Sequence, residues 1–505
     1  MSTAPPAGAA PPTSDIEDLA KGGRTNFFGF LLRLAARIPF LFIAGRIYGA
    51  EALGRFAYAV IVVEFAAQLA TLGLRRGLAD QLSRTERPHQ HVVVDGMLVG
   101  TLASAIVALI LASVPTMMFP NSAINGLEWL LPLTVFALVW SDIALAALAY
   151  RHDIAATVKA RSIVEPWTIS IAALALSWYS LRDGLILSYV VSMIAALSAS
   201  IVPLVRSYGI PRGWRQRPSA LVTLVRRNLP LAAADAIEWG SRRLDIAILG
   251  LLFQPSIVGI YYVAQQVASL PQKLKTSFDP ILGPVITQKL GEGDKPAVAR
   301  QVRQVGFWII AAQAGVALCL GIPGEAVMGL VGPNFVGGTG ALAFLLAAEV
   351  VAATAVVSEA ALIYVARKRN LAISLAMIAV QVGLSFVIVH AMRRFGLPVL
   401  VQAAGPALAM SIALGCASIA KARLLATLLG APVSGWRWAL VYAAAPAVAV
   451  GWTMTLLPEW MELVVGIPAI LGVYGAVIWY RGFGHEDREL FRMRAPPAPK
   501  LAQEI

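Results

Sequence analysis

The chain has 505 residues, of which 58% are hydrophobic and 14% are charged, whereas soluble globular proteins carry about 25% charged residues. This composition excludes a soluble globular domain and predicts a polytopic membrane protein. The formal net charge of +13 does not indicate nucleic acid as a partner, because the basic residues lie in short connections between apolar segments.

Apolar segments of about 20 residues, the length that crosses a bilayer as a helix, recur from Arg24 to Arg481. Residues 1–24 are rich in Ala and Pro and carry acidic groups, which predicts a disordered cytoplasmic tail. Pro271 and Pro280 in the eighth segment predict a kink or an early exit into a cytoplasmic loop. We predict about 14 transmembrane helices, at residues 26–48, 54–74, 92–115, 126–150, 163–181, 184–205, 228–253, 257–287, 305–328, 340–366, 371–391, 397–420, 437–457 and 463–480.

Basic residues mark one side of the membrane. The connections on the opposite side contain almost none, with Arg393 and Arg394 as the main exceptions. Because cytoplasmic connections carry the excess of Lys and Arg, both termini are predicted to face the cytoplasm. The basic connections lie at residues 75–87, 151–161, 206–227, 273–303, 367–369 and 421–437.

Part of the sequence occurs twice. With a shift of 205 positions, IAGRIYGAEALGRFAYA at residues 43–59 aligns with ILGLLFQPSIVGIYYVA at residues 248–264. Gly54 then meets Gly259, and an aromatic residue follows two positions later in both copies. Duplicated halves with a site between them are a common plan for transporters, so the repeat predicts a transporter with two related halves.

Charged residues interrupt the apolar sequence after Pro230. On one continuous helix, four of them fall within an arc of about 80°: Asp235, Glu238, Arg242 and Asp245. Charges in hydrocarbon are costly, so this face predicts a polar transport cavity. The alternative is a self-neutralised structural face, because Glu238–Arg242 and Arg242–Asp245 have the spacings of ion pairs within a helix.

Arg33 and Arg37 share a face of the first predicted helix, and neither has an acidic residue three or four positions away. Under the same shift, Arg33 falls on Glu238 and Arg37 falls on Arg242. Guanidinium groups suit phosphate oxygens, so these residues predict an anion site. The alternative is a salt bridge between helices, such as Arg37 to Glu238.

Further acidic residues lie in the apolar segments, and the main ones are Glu64, Asp142, Glu165, Glu349 and Glu359. Each is a candidate to hold a proton or Na⁺, or simply to pair with a neighbouring polar group. The sequence has no P-loop, no GxSxG and no HExxH motif, so no catalytic residue is assigned. His89 and His91 lack a nearby Cys/His ligand cluster, so neither a metal nor a cofactor is expected.

Three stretches resemble Wzx-type polysaccharide flippases of the multidrug/oligosaccharidyl-lipid/polysaccharide exporter superfamily. They are LRLAARIPFLFIAGRIYGAEALGRFAYA at residues 32–59, RRNLPLAAADAIEWGSRRLDIAILGLLFQPSIVGIYYVA at residues 226–264, and AFLLAAEVVAATAVVSEAALIYVARKRN at residues 343–370. The resemblance extends from about residue 24 to residue 481. It rests on loose patterns of Gly, Pro and aromatic residues, which carry little information on the substrate.

The resemblance implies an all-α membrane fold with two pseudo-symmetric six-helix lobes around a central cavity, plus two C-terminal helices. The domains are then a tail at residues 1–24, an N-terminal lobe at 25–206, a basic cytoplasmic linker at 207–227, a C-terminal lobe at 228–424, two extra helices at 425–482 and a tail at 483–505. Helices one, two, seven and eight are implied to line the cavity.

The resemblance also implies a function. The cargo is an undecaprenyl-diphosphate-linked oligosaccharide, moved across the cytoplasmic membrane of a bacterium for surface polysaccharide assembly, with membrane lipids and polysaccharide polymerase machinery as partners. We assign the diphosphate to Arg33, Arg37, Arg242 and Arg243. We assign coupling to H⁺ or Na⁺ to Asp235, Glu238 and Asp245, with Glu64 or Glu349 as accessory sites.

Two other functions compete with this interpretation. A multidrug or cation antiporter of the same superfamily would centre its cavity on acidic residues, and this chain has both acidic and basic ones. A membrane glycosyltransferase or acyltransferase would need acid/base groups in an outer connection. The outer connections here are short and poor in such groups, which counts against an enzyme.

Overall fold

The computed structural model describes residues 38–124, 126–276, 286, 290 and 292–484, and every regular element among them is helical. Nine helical segments of this part of the chain are long and apolar enough to cross a membrane, and Ala439–Met454 is a shorter apolar helix. The predicted all-α membrane fold is confirmed, whereas the number of 14 spans remains a prediction. Arg33 and Arg37 lie outside the described residues.

Two compact units divide the described chain. The first unit contains the residues up to Gln266 together with Met328–Ala341 and Ile378–Met410. The second unit contains Val267–Val327, Leu342–Met377 and the residues from Ser411 onward. The boundaries of the two six-helix lobes expected from the sequence are not tested by this division and remain a prediction.

Helices α1 to α10 begin in the first unit. Helix α1 covers residues 38–48 and ends in the π-helical turn Ala44–Tyr48. The following helices are α2 Gly49–Ala70, α3 Leu74–Ser83, α4 His89–Ser113, α5 Thr134–Tyr150, α6 Glu165–Leu176, α7 Gly184–Tyr208, α8 Pro218–Ser241, α9 Leu244–Leu252 and α10 Pro255–Thr276.

Helices α11 to α17 follow in the rest of the described chain. They are α11 Lys295–Gly321, α12 Gly324–Val331, α13 Thr339–Val365, α14 Arg367–Arg394, α15 Gly405–Leu429, α16 Ala439–Met454 and α17 Ile467–Val477. In the second unit, Ser411 Oγ donates to the Phe344 carbonyl and Ser418 Oγ donates to the Val351 carbonyl, each at 2.7 Å. Such serine bonds join neighbouring helices where hydrocarbon gives no hydrophobic driving force.

The first pair of helices turns sharply at Gly49, where the sequence predicts the break between the first two spans. Gly49 has φ +81°, a conformation that glycine adopts without steric cost. Helix α2 therefore begins directly after α1, and it ends at Ala70 before a second left-handed glycine, Gly73. Helix α3 follows, with Leu74, Leu78 and Leu82 buried and its arginines exposed.

The two copies of the repeat pack against each other through their matched glycines. A Cβ built on Gly54 would lie 1.7 Å from the Pro255 carbonyl oxygen, and one built on Gly259 would lie 2.0 Å from the Ala50 carbonyl oxygen. The shift of 205 positions also relates Ala50 to Pro255, so the contact is reciprocal. Helices α2 and α10 cross here with their backbones touching, as small residues at such positions permit.

The predicted single helix over residues 228–253 is wrong. The chain forms α8, a turn at Arg242 and Arg243, and then the separate helix α9. Arg243 has ψ near 3°, and its N–H bonds the Gly240 carbonyl in a tight i to i−3 turn. Gly240 lowers the helical propensity at this point, which favours the break. The expected common face across the turn therefore does not form.

Lys421 was expected in a cytoplasmic connection, but it lies inside α15 and is buried. Its ammonium donates to Glu359 at 3.1 Å and to Ser374 at 3.0 Å, both within the second unit. A buried charge needs a partner of opposite sign, and Glu359 supplies it. The structural interpretation of Glu359, as a partner for a neighbouring cation, is therefore the one that its contacts support.

Candidate functional site

A cavity of about 740 Å³, including its open mouth, lies within the first unit. Helices α1, α2, α6, α7 and α10 form its walls, and Arg243 reaches it from the turn between α8 and α9. Most of the wall is apolar or aromatic. The polar lining side chains are Glu64, Glu165, Tyr189, Ser192, Arg243, Tyr262 and Gln266. An apolar cavity with a few convergent polar groups is the usual form of a ligand site.

Two π-helical turns flank this cavity. Ala44–Tyr48 follows the lining residues of α1, and Lys159–Val164 immediately precedes Glu165. Single π-helical turns inside α-helices occur often at functional sites, because they shift the side chains that follow them around the helix axis. Their positions support the assignment of this cavity as the candidate site.

Arg161 holds the acidic side of the cavity wall in place. Its guanidinium donates to Glu165 at 2.8 Å and also contacts Asp142. This joins α5 to the beginning of α6 through one cation and two carboxylates. The sequence left open whether Glu165 and Asp142 hold an ion or pair with a neighbouring polar group, and both pair with Arg161 here. Glu165 also faces the cavity.

Of the predicted site residues, Glu64 and Arg243 are brought together as lining groups of this cavity. Arg243 also lies over the Trp239 ring at 5.9 Å, a cation–π distance. Glu349 belongs to the second unit and lies on α13. Within the first unit, Glu64 lines this cavity, whereas Asp235, Glu238 and Asp245 do not.

Asp235, Glu238 and Arg242 form a separate cluster around a residue that the sequence did not single out, Arg76 of α3. Arg76 lies 2.9 Å from Asp235 and 2.7 Å from Glu238, and Arg242 lies 3.0 Å from Glu238. The expected ion pair Glu238–Arg242 is thus present. Gly73 and Gly77 are the sequence signal that α3 lies close to another helix, although they do not identify which one.

Asp245 occupies a third environment. Its carboxylate is completely buried, and it accepts hydrogen bonds from Tyr261 Oη at 2.8 Å and from Gln265 Nε2 at 3.0 and 3.1 Å. The alternative Arg242–Asp245 pair is wrong, because the turn at Arg242 separates the two side chains onto different helices. Asp245 is hydrogen-bonded by two uncharged donors.

This fold is that of a multi-pass helical membrane protein. Three solved structures share the fold: an inward-facing multidrug resistance MATE family transporter of the MOP superfamily (TM-score 0.64, 13% identity, 79% of this chain and 94% of that one), an outward-facing one (0.54, 13%, 80% and 93%), and a MOP superfamily transporter from Pyrococcus furiosus Vc1 (0.53, 12%, 80% and 93%). At these identities, the likeness concerns the fold alone.

The chain belongs to the polysaccharide biosynthesis protein family, whose family model matches residues 43–317, more than half of its length. No curated protein matches the chain. The resemblance seen in the sequence is therefore confirmed as far as the polysaccharide biosynthesis family and the fold.

Proposed function

We propose that this protein is a membrane transporter, a flippase that moves an undecaprenyl-diphosphate-linked oligosaccharide from the cytoplasmic to the outer leaflet by alternating access. The observation that carries the proposal is a polysaccharide biosynthesis family on a transporter fold. The flipped product serves surface polysaccharide assembly by polymerase machinery at the cytoplasmic membrane of a bacterium. The positions of the basic connections support cytoplasmic termini on both ends.

Deletion of the gene is the simplest test of this function. We expect the deletion strain to lose surface polysaccharide, measured by glycan staining of whole cells, and to keep its resistance to cationic drugs. A multidrug or cation antiporter is the second candidate, favoured by Glu64 and Glu165 in the cavity wall. It predicts the opposite pattern, with intact polysaccharide and drug-sensitive cells.

The proposed diphosphate ligands are Arg33, Arg37, Arg242 and Arg243. Two observations support the last two: Arg242 is half exposed, and Arg243 lines the cavity. A guanidinium presents a planar fork of donors that matches phosphate oxygens, whereas a lysine presents a single compact charge. Every lipid carrier of this class presents the same anionic group, so one cationic site would serve cargoes with different sugars.

For coupling to H⁺ or Na⁺, the surroundings of the proposed carboxylates favour Asp245 over Asp235 and Glu238. Asp235 and Glu238 already have arginine partners, whereas Asp245 has hydrogen bonds from Tyr261 and Gln265. A buried carboxylate without a tight arginine pair gains and loses a proton more readily than one that is neutralised. Glu64 and Glu349 remain accessory candidates.

Asp245→Asn is expected to leave the protein folded but to abolish its response to a proton gradient, because asparagine keeps the shape of the site and cannot change charge. The measurement is flipping in proteoliposomes with and without an imposed pH gradient. Asp153→Asn is the matched control, since that carboxylate caps a short helix at the Ala156 N–H. If Asp245→Asn responds to the gradient like wild type, Asp245 does not have this role. If flipping by the wild-type protein does not change with either a proton or a sodium gradient, transport is not coupled to these ions.

Single cysteines at positions 215 and 367 are expected to react with a membrane-impermeant thiol reagent only from the cytoplasmic side. Both positions carry arginine in basic connections of the predicted cytoplasmic set. Cys416 is exposed and Cys319 is buried, so both are replaced by serine in the starting protein. Labelling of the two positions from opposite sides would refute the predicted arrangement of the spans.

A further inference from the structure

One carboxylate in the first unit is held between two arginines from different helices. Glu238 Oε2 lies 2.7 Å from Arg76 of α3, and Glu238 Oε1 lies 3.0 Å from Arg242 after α8. Each carboxylate oxygen therefore faces a separate guanidinium. Two guanidinium groups that converge on one pair of oxygens form the arrangement that also binds a phosphate group.

The three side chains are accessible to a ligand from outside the protein. Their exposed fractions are 55% for Arg76, 49% for Glu238 and 50% for Arg242. Exposed ion pairs of this kind contribute little to stability, because water screens them and long side chains lose freedom when they pair. An anion with more charge than a carboxylate is therefore able to take the place of Glu238 between the arginines.

The frame that carries the two arginines is rigid. A Cβ built on Gly77 would lie 1.6 Å from the Asn228 Oδ1, and one built on Gly73 would lie 2.6 Å from the Ala232 nitrogen, so α3 lies directly on α8. Arg76 Nε lies 2.9 Å from the buried carboxylate of Asp235, so this side of the guanidinium lies close to α8. Its NH2 group donates to Glu238, on the side that a ligand would occupy.

More cations surround this position. Arg75 is exposed beside Arg76, and Arg227 lies 3.0 Å from the Asp80 carboxylate. A local excess of positive charge raises the concentration of anions near the surface and speeds their arrival. The same surface continues the basic connection that the sequence predicts on the cytoplasmic side.

We propose that Arg76 and Arg242 form a diphosphate site in which the Glu238 carboxylate acts as an exchangeable placeholder. This inference rests on the proposed function, because the ligand it assigns is the diphosphate head group of the lipid carrier. It adds Arg76 to the anion site, and it changes the role of Glu238 from a coupling group to a competitor of the ligand. The placeholder keeps the two arginines neutralised and correctly spaced until cargo arrives.

The test measures binding to the purified full-length protein in nanodiscs of neutral phosphatidylcholine. Inorganic diphosphate is the probe of the site. Undecaprenyl diphosphate in the nanodisc identifies the source of the head group, and phosphatidylglycerol in its place is the control. Glu238→Gln removes the competing charge with little change of shape, so it is expected to tighten binding of both diphosphates by about tenfold. Arg242→Gln is expected to weaken both by about tenfold or more, and it leaves the Arg76–Asp235 pair intact.

Arg84→Gln is the matched control, because this arginine lies on the same helix and pairs with Asp80. It is expected to bind diphosphate like wild type. Binding in Glu238→Gln that is unchanged or weaker would overturn the placeholder, and phosphatidylglycerol that binds as tightly as undecaprenyl diphosphate would overturn the assignment of a diphosphate. These binding measurements do not depend on transport. If the site binds diphosphate as expected but deletion of the gene leaves surface polysaccharide intact, only the proposed function is refuted.

Discussion

Replacing Gly54 with alanine adds one methyl group, and it is expected to cause a large loss of folded protein. The new Cβ would lie 1.7 Å from the Pro255 carbonyl oxygen, far inside van der Waals contact. The obstacle is backbone, so α2 and α10 must separate rather than repack a side chain. Overpacking of this severity lies at the upper end of measured costs, about 3 kcal/mol or more. The measurement is thermal unfolding of the purified protein, followed by size-exclusion chromatography.

Gly383→Ala is the matched control for this change. Gly383 lies inside α14, and a Cβ built there has no neighbour within 4 Å. Alanine at an open helical position is expected to stabilise by about 0.5–1 kcal/mol, because it reduces the freedom of the unfolded chain. Gly259→Ala is expected to resemble Gly54→Ala, and the double variant should cost less than the sum, because both act at one crossing. Wild-type stability of Gly54→Ala would contradict the close contact.

The second large effect is expected at Arg37, which lies outside the described residues. Arg37→Ala is expected to reduce flipping by about 100-fold or more, because it removes a charged hydrogen-bond donor of the proposed diphosphate site. Arg37→Lys keeps the charge but not the planar fork, so it is expected to fold and to flip more slowly than wild type. The measurement is flipping of labelled lipid-linked oligosaccharide in proteoliposomes, normalised to the amount of folded protein.

The double variant Arg37→Ala with Glu238→Ala distinguishes an anion site from a salt bridge. If Arg37 served only to neutralise Glu238, removal of both would restore function, since no charge would remain unpaired. The structure gives Glu238 two other partners, Arg76 and Arg242. We therefore expect no recovery, and normal polysaccharide export by the double variant would contradict an anion-binding role for Arg37.

The sequence showed the repeat that matches Gly54 with Gly259, and the structure adds that these two glycines meet at a helix crossing. Small residues at matched positions of a repeat are what two crossing helices need if their backbones touch. Apolar length and basic connections likewise predicted a helical membrane protein, since the bilayer restricts the structures that cross it. These features depend on residues that are close together in the chain, so one sequence is enough to predict them.

The candidate site was less accessible to sequence analysis, because its contacts join residues far apart in the chain. Arg76 and Glu238 are 162 positions apart, and Lys421 and Glu359 are 62 apart. The charged face predicted from helical periodicity also required one helix to continue through Arg242, where the chain in fact turns. One break was enough to move Asp245 away from the charged face and into the site with Tyr261 and Gln265.

Flipping in a defined system tests the central proposal most directly. Purified protein would be reconstituted into liposomes with a fluorescent undecaprenyl-diphosphate oligosaccharide in both leaflets, and a membrane-impermeant quencher would report the fraction that reaches the outer leaflet. We predict flipping of this lipid that soluble diphosphate inhibits, together with no transport of cationic drugs in parallel vesicles. Vesicles that move cationic drugs and leave the lipid-linked oligosaccharide in its original leaflet would contradict the proposed function.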